Sequence, residues 1–247
     1  MKSIVGLAAA LALMTSNAAA DGLMKKSHVR DTSHVETPHI WRGIYVGLHA
    51  GLATGNTQGE VDFSRHEYEY EGGIGPLSFD YEMNGALYGA QIGWLGQWGN
   101  LVAGIEASYS GSSVQGSDAG CLVFIVGIDC RRDVNWLATV VGRAGWAYDR
   151  ILIYGLAGVA WADVDTEARI LNTKFLSGGE THVGWTVGFG LEWALSSRVS
   201  ARIEYAHIDL GDETHRLRIH GSSITIPDRV ELEMDTIRLG VNVKLGH

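Results

Sequence analysis

Residues 183–193 read Val-Gly-Trp-Thr-Val-Gly-Phe-Gly-Leu-Glu-Trp, and this stretch decides the fold. Large apolar side chains occupy every second position, and the positions between them hold Gly, Thr or Glu. Successive side chains of a β-strand point to opposite faces. The period of two therefore predicts a strand with one apolar face and one small or polar face.

The same alternation recurs along the chain and predicts eight strands. In the first strand, for example, Ile44, Val46 and Leu48 alternate with Gly47 and His49. The predicted strands average about ten residues, which is the length of a tilted transmembrane strand. The fifth strand is apolar on both faces, so its facing stays open. The predicted strands lie around 44–52, 85–94, 101–109, 134–146, 151–162, 183–193, 199–206 and 237–245.

The connections between these strands alternate in length. Short connections and long polar segments follow one another along the chain: 97–100, 148–150 and 195–198 are short, and 54–83, 111–133, 163–181 and 210–230 are long. Short turns at one end and long loops at the other are typical of an outer-membrane barrel. We therefore predict an all-β fold, an eight-stranded antiparallel transmembrane β-barrel with short periplasmic turns and long extracellular loops.

A soluble sandwich or lipocalin-like barrel would also alternate, but its polar face would meet water. The second face here holds mainly Gly, Ser and Thr, so it suits a narrow lumen better than a solvated exterior. The apolar face would then contact lipid, and aromatic residues near the strand ends could form two interfacial girdles. These aromatic residues are Trp41, Trp94, Tyr109, Trp136, Trp146, Trp161, Trp193 and Tyr205.

The N-terminal residues predict export. Lys2 and an apolar run that ends at Met14 precede small residues at Ala18 and Ala20, which is the pattern of a cleaved signal peptide. No run of eighteen apolar residues follows, which excludes a helical membrane protein. The predicted organisation is a signal peptide at 1–20, a flexible periplasmic leader at 21–40 and the outer-membrane barrel at 41–247.

Composition narrows the classes of partner and ligand. The formal net charge of −9 argues against nucleic acid as a partner. Only two cysteines occur, Cys121 and Cys130, and in an oxidising compartment they predict a loop-closing disulfide. No further Cys or His ligand lies near them, so we predict no metal site.

Six charged residues fall on the predicted inward face and include both signs. Charges inside a narrow barrel must pair, because burying a lone charge is costly. We predict a network of salt bridges that fills the lumen, and a narrow conducting path lined by the same groups remains the alternative. Eight strands leave too little room for a wide solute channel. The six residues are Glu106, Arg143, Glu192, Arg202, Glu204 and Arg238.

Several phrases resemble one family in the same order along the chain. They are Trp41-Arg-Gly-Ile-Tyr-Val-Gly-Leu-His-Ala-Gly, Gly99-Asn-Leu-Val-Ala-Gly-Ile-Glu-Ala, Val140-Val-Gly-Arg-Ala-Gly-Trp-Ala-Tyr-Asp-Arg, Gly184-Trp-Thr-Val-Gly-Phe-Gly-Leu-Glu-Trp-Ala and Ala201-Arg-Ile-Glu-Tyr-Ala-His-Ile-Asp-Leu-Gly. From Trp41 onward the chain resembles the small porin-like outer-membrane proteins of alphaproteobacteria, the family of the 25 and 31 kDa Brucella surface antigens and their rhizobial relatives.

The resemblance implies an eight-stranded barrel in the outer membrane, with roles proposed in envelope integrity, host contact and, for some members, haem binding. Chains of this family usually end in an aromatic residue that the insertion machinery recognises. This sequence ends Lys244-Leu-Gly-His, so we expect less efficient assembly.

Two further functions remain as alternatives. Haem iron takes His or Tyr as an axial ligand, and the first long loop offers His66, Tyr68 and Tyr70. Other eight-stranded outer-membrane barrels modify lipid A, and His207 and Asp209 with Ser112 or Ser113 could supply such a group if they lie within hydrogen-bond reach.

We therefore expect a structural and surface-related envelope protein in the cell outer membrane, with no catalytic residues and no cofactor. A narrow porin-like pore is the first alternative to this function. The expected partners are outer-membrane lipid and lipopolysaccharide, the barrel-insertion machinery, and host or environmental surface ligands.

Overall fold

The computed structural model describes residues 40–61, 77–119, 128–170, 173–219 and 225–246. Eight antiparallel strands follow one another around a closed barrel, in which the first strand pairs with the second and with the last. The predicted fold class is confirmed. The strands are β1 (Gly43–Val61), β2 (Leu77–Trp98), β3 (Leu101–Ala119), β4 (Ile128–Tyr148), β5 (Ile151–Ile170), β6 (Thr173–Ala194), β7 (Val199–Ile219) and β8 (Thr225–Leu245).

The strands are about twice as long as the sequence pattern predicts, with 19 to 22 residues each. The predicted loop at 54–83 contains the end of β1 and the start of β2, and the predicted loop at 163–181 contains the end of β5 and the start of β6. The predicted loops at 111–133 and 210–230 likewise contain the ends of β3 and β7 and the starts of β4 and β8, so all four long loops are wrong in extent. Beyond the membrane the outward face becomes polar, so the contrast between the two faces is lost while the backbone ladder continues.

The ladder also gives the tilt of the strands. Starting from Ile44 on β1, we can step from each residue to its ladder partner on the next strand until the path has gone once around the barrel. It returns to β1 at Thr54, ten residues beyond Ile44. A shift of ten residues over eight strands corresponds to a tilt of about 40°, so each residue climbs about 2.5 Å along the barrel axis. The path runs through Ile44, Trp94, Ile105, Gly142, Ala157, Val187, His207, Asp235 and Thr54.

An apolar band surrounds the lower half of the barrel, next to the short turns. Its side chains point outward, and Leu48, Phe189 and Leu239 are more than 60% exposed. A surface of this kind is stable only when lipid covers it. Among the described residues, no helix is long and apolar enough to cross a bilayer.

Aromatic side chains mark both edges of this band. Next to the short turns the outward aromatic residues are Trp94, Trp98, Trp146, Tyr148 and Trp193. At the other edge, where the outer leaflet ends, the outward aromatic residues are Tyr88, Tyr109, Trp136, Trp161, Trp185 and Tyr205. We call these two sets the periplasmic girdle and the outer girdle.

Trp41 does not belong to either girdle, so that part of the prediction is wrong. The residue is only 5% exposed and lies in an apolar cluster with Tyr45 and Leu95 at the periplasmic end of the lumen. Its backbone N–H donates to Oε1 of Gln97 at 2.7 Å. Gly43 has a φ of 137°, and this turn at the start of β1 carries Trp41 toward the lumen.

The structure also settles the facing of the fourth and fifth strands. In β5, Leu152 and Tyr154 point inward and Ile153 points outward. In β4, the register with β5 shifts between Val134 and Trp136. This bulge turns Val134 inward, although the uninterrupted alternation of the sequence predicts it on the same face as Trp136.

Candidate functional site

All six charged residues predicted for the lumen point inward and are buried. They form one chain of alternating sign along which each glutamate contacts an arginine: Glu192, Arg143, Glu106, Arg202, Glu204 and Arg238. Three carboxylates and three guanidinium groups make the chain electrically neutral. A neutral, hydrogen-bonded chain reduces the cost of holding charges at the depth of the membrane.

Glu106 stands at the centre of the chain. Its Oε2 accepts from Nη1 of Arg143 at 2.8 Å and from Nη1 of Arg202 at 2.6 Å. The hydroxyl of Tyr45 donates to the same oxygen. One carboxylate therefore joins four strands: β1, β3, β4 and β7.

The other two carboxylates of the chain are held in the same way. Glu204 accepts from Nη2 of Arg238 at 2.6 Å and from the hydroxyl of Tyr154 at 2.9 Å. Glu192 accepts from Nη2 of Arg143 at 2.9 Å and from Nδ2 of Asn242 at 2.8 Å. Each carboxylate thus bonds to an arginine and to a neutral donor, which satisfies more of its lone pairs.

Two tyrosines belong to this network, and the sequence prediction did not include them. The guanidinium of Arg143 lies 3.9 Å from the ring centroid of Tyr154 and 5.8 Å from that of Tyr45. Glycines make room for both rings, because a Cβ at Gly93 would collide with Tyr45 and a Cβ at Gly190 would collide with Tyr154. For Tyr45 the signal in the sequence was its inward position on the first strand, beside a second strand rich in Gly. Tyr154 had no such signal, because the facing of the fifth strand stayed open in the sequence.

An uncharged polar layer lies beside the charged chain. His49 contacts Oε1 of Gln91 at 2.6 Å and Oγ of Ser110 at 2.8 Å. Gln91 donates to Oδ1 of Asn242 at 2.8 Å, so the layer is continuous with the charged chain through Glu192. These side chains are buried.

An apolar plug fills the lumen above the polar layers. Seven strands contribute apolar side chains to it. The eighth, β6, places the fully buried His182 beside the plug residue Ala162, and a Cβ on Gly184 would collide with the backbone of β7. The members of the plug are 4% exposed or less: Ala53, Met83, Leu87, Val114, Val134, Leu137, Ala160, Ala162, Val164, Ile208, Leu210, Leu232 and Met234. The charged chain is therefore enclosed by apolar layers on both sides, with the cluster around Trp41 below it.

The plug begins level with the outer girdle. Leu87 precedes the girdle residue Tyr88, and Leu137 follows the girdle residue Trp136, so the inward and outward side chains share one height. Sequence analysis missed the plug because Met83, Val114, Val164 and Leu210 fall in the predicted loops. Its signal was present as isolated apolar residues at alternate positions within those polar segments.

A second group of polar side chains faces outward at the outer girdle. Oδ1 of Asp235 accepts from the hydroxyl of Tyr205 at 2.7 Å and lies 3.0 Å from Nδ1 of His207. The ring of Trp185 lies beside that of His207, with centroids 5.6 Å apart and a tilt of 57°. We call these four residues the girdle cluster.

The structure separates the residues considered for lipid A chemistry. Ser112 and Ser113 lie on β3, whereas His207 and Asp209 lie on β7, on the opposite side of the barrel. Oγ of Ser113 contacts the backbone of Ala86 instead. No nucleophile and base from this set lie within hydrogen-bond reach.

The remaining site predictions fall outside the described part of the chain. His66, Tyr68 and Tyr70, the haem candidates, lie between β1 and β2, and Cys121 and the side chain of Cys130 are also outside it. The haem site and the disulfide stay predictions. Within the described ranges, no group of three or more His, Cys, Asp or Glu side chains could hold a metal ion.

Comparisons with known proteins agree with this architecture. The family model described as "Outer membrane protein beta-barrel domain" matches residues 5–244. The 31 kDa outer-membrane immunogenic protein of Brucella melitensis biotype 1 is 30% identical over 99% of this chain and 100% of its own length. The 22 kDa outer membrane protein of Rhizobium leguminosarum bv. viciae is 26% identical over 83% of this chain and 78% of its own length.

A solved structure is similar in fold. The crystal structure of the outer membrane protease OmpT from Escherichia coli has a TM-score of 0.52 to this chain at 9% sequence identity. The match covers 82% of this chain and 97% of OmpT. At this identity the likeness concerns the barrel alone.

Proposed function

Because the chain belongs to the outer membrane protein β-barrel domain family, we propose that it serves the outer membrane as a sealed structural barrel that presents its loops above the surface. Its location in the outer membrane follows from the family and from its relatives. The proposal concerns what the barrel does there. The observation that carries it is the filled lumen.

The filled lumen argues against conduction. A conducting path needs a continuous file of water or mobile ions. In the described barrel the charged chain is tied into ion pairs from Glu192 to Arg238, and the apolar plug covers it on the outer side. An ion would have to break these pairs and then enter an apolar layer, which is unfavourable. The same contacts join facing strands across the lumen and stiffen the barrel.

The long strands support the role in presentation. From Asp235 at the outer girdle, β8 continues ten residues to Thr225, a climb of about 25 Å at the tilt given above. The outward wall of this region is polar and carries several carboxylates: Glu82, Asp163, Asp165, Asp209, Glu231 and Glu233. The connecting loops thus start well above the outer leaflet.

Single-channel recording in planar bilayers tests the sealed lumen. The full barrel is expected to insert without stable conductance. Leu137→Ser with Ile208→Ser places two hydroxyls in the plug and is expected to produce brief openings. The matched control is Val140→Ser with Ile203→Ser, which changes two lipid-facing residues of the same strands and should stay silent. Stable open steps from the unmodified barrel would contradict the proposal.

A deletion strain tests the structural role in the cell. Loss of the gene is expected to raise sensitivity to detergents and bile salts, and the unmodified gene should restore resistance. A variant in which the plug is opened should restore less resistance than its lipid-face control. If deletion leaves detergent sensitivity unchanged, the structural role is wrong.

A further inference from the structure

We propose that the girdle cluster of Trp185, Tyr205, His207 and Asp235 is a binding site for a sugar ring of an outer-leaflet glycolipid, lipopolysaccharide in the outer membrane. The inference rests on the location of the barrel in the outer membrane and not on the sealed lumen. A barrel that conducts could still carry this site.

The height of the cluster fits a headgroup sugar. Val187, His207 and Asp235 are ladder partners side by side on β6, β7 and β8. Toward the periplasm the outward positions are apolar, as at Ile237. On β1, the other neighbour of β8, the ladder partner of Asp235 is the polar Thr54. The cluster therefore lies where the hydrocarbon ends and the sugars of the outer leaflet begin.

The polar half of the cluster is arranged to accept hydroxyl groups. Tyr205 and His207 both contact Oδ1 of Asp235, which leaves Oδ2 to accept from a ligand. In the neutral ring of His207, a proton on Nδ1 for this bond leaves Nε2 as an acceptor. The side chains of His207 and Asp235 are 32% and 49% exposed, so both acceptors face outward from a fixed position.

The aromatic half supplies a platform for the apolar face of a sugar. Trp185 is 49% exposed, and its ring stands at 57° to that of His207. A pyranose ring has one face of C–H groups and a rim of hydroxyls. Such a ring can pack on the indole while its rim reaches Asp235 and His207.

Charge favours a sugar over a phosphate at this position. Asp209 and Glu233 are ladder partners one step above the cluster, in line with Trp185. Their carboxylates and that of Asp235 would repel a phosphate, whereas carboxylate oxygens readily accept hydroxyl donors. The ligand chemistry is therefore a neutral hydroxyl-bearing ring.

The backbone beside the cluster departs from a regular ladder. Gly211 has a φ of 62°, and the register of β7 with β8 shifts between Asp209 and Asp212. The register of β6 with β7 also shifts between Ser177 and Trp185. Bulges next to a site redirect side chains. The irregularity between β7 and β8 fixes the side chain of Asp209, whose Oδ1 accepts from the N–H of Gly211 at 2.8 Å.

Another part of the outer girdle provides a comparison. Tyr109 and Trp136 stack on each other, with centroids 5.9 Å apart and an angle of 24° between the planes. Their ring faces are partly covered by this stacking. Trp136 is therefore a control for an aromatic residue of the girdle that does not form an open notch.

Native mass spectrometry of the full chain in phospholipid nanodiscs tests the site with rough lipopolysaccharide that retains its neutral core sugars as the probe. Trp185→Leu and Asp235→Asn are expected to weaken binding about tenfold each, the loss of one good contact. Trp136→Leu and Trp193→Leu remove girdle aromatics elsewhere and should change binding less than about twofold. Heat-modifiable gel migration shows that each variant is folded.

Two further probes separate the sugar from its phosphates. Dephosphorylated lipopolysaccharide is expected to bind as well as the intact glycolipid, and phosphatidic acid is expected not to compete. Binding that is lost on dephosphorylation would assign the phosphate and overturn the proposal. Equal binding by Trp185→Leu, Asp235→Asn and the two controls would overturn it as well.

Discussion

The guanidinium of Arg143 on β4 lies 3.9 Å from the centroid of the Tyr154 ring on the neighbouring strand β5. The ring also donates its hydroxyl to Glu204, which belongs to the other end of the charged chain. Tyr154 thus supports the chain twice, through its π face and through its hydroxyl.

Tyr154→Phe and Tyr154→Leu separate these two contributions. Phe keeps the cation–π contact and loses the hydrogen bond to Glu204, so the free energy of unfolding should fall by about 1–3 kcal/mol. Leu loses both contacts and should cost about 1–2 kcal/mol more. Denaturant unfolding in detergent micelles, followed by tryptophan fluorescence, measures the difference. Equal losses for the two variants would show that the ring face contributes nothing.

Glu106→Gln tests the centre of the charged chain. The carboxylate faces Arg143 and Arg202, and its neutralisation leaves two buried guanidinium groups without their shared counter-charge. We expect the free energy of unfolding to fall by about 3–5 kcal/mol. Glu231→Gln, an exposed carboxylate on β8, is the control and should change it by less than about 0.5 kcal/mol. Comparable effects of the two substitutions would contradict the network.

Gly93→Ala tests the fit between glycine and tyrosine in the lumen. The new methyl group would collide with the ring of Tyr45, so the barrel should lose about 1–3 kcal/mol of stability. Gly142→Ala is the matched control, because a Cβ there meets only the carbonyl oxygen of Ala157 at 3.8 Å. For both variants, the stability is measured as the temperature at which the faster-migrating folded band disappears from the gel. A neutral Gly93→Ala would mean that the ring of Tyr45 can move aside.

Trp41 and Trp193 should respond differently to lipid. Trp41 is 5% exposed inside the barrel and Trp193 is 56% exposed on its lipid face. In variants that keep one of these tryptophans, brominated lipid chains should quench Trp193 and leave Trp41 bright. Strong quenching of Trp41 would show that it contacts lipid, as the sequence analysis predicts, and would contradict its position inside the barrel.

The alternation of side chains was enough to predict the barrel and the inward position of all six network charges. A tilted strand with lipid outside and a narrow lumen inside leaves a strict period of two. Glu106, Arg143 and Arg202 interrupt small residues on the inner face, so burial and pairing followed from the pattern. Which arginine each of Glu192 and Glu204 contacts depends on the register of the strands, and the sequence does not display the register.

The misses have physical causes that no period reveals. The bulge between Val134 and Trp136 breaks the alternation of β4, so that Val134 points inward. The positive φ of Gly43 turns Trp41 inward. Above the outer girdle, water covers the wall, and inward residues such as Met83 and Leu210 stand out less among polar neighbours. The girdle cluster was missed because Asp235 and His207 meet only through the β7–β8 register.

The pairing of Gly190 with Tyr154 and of Gly93 with Tyr45 bears on how this barrel can change over evolutionary time. Each ring occupies the space that a side chain on the neighbouring strand would need. A larger residue at either glycine becomes acceptable only after its tyrosine has been replaced by a smaller one, and the tyrosine cannot shrink first without leaving a cavity beside Arg143. The two positions of each pair should therefore vary together among descendants of this sequence, while lipid-facing positions such as Gly142 drift independently.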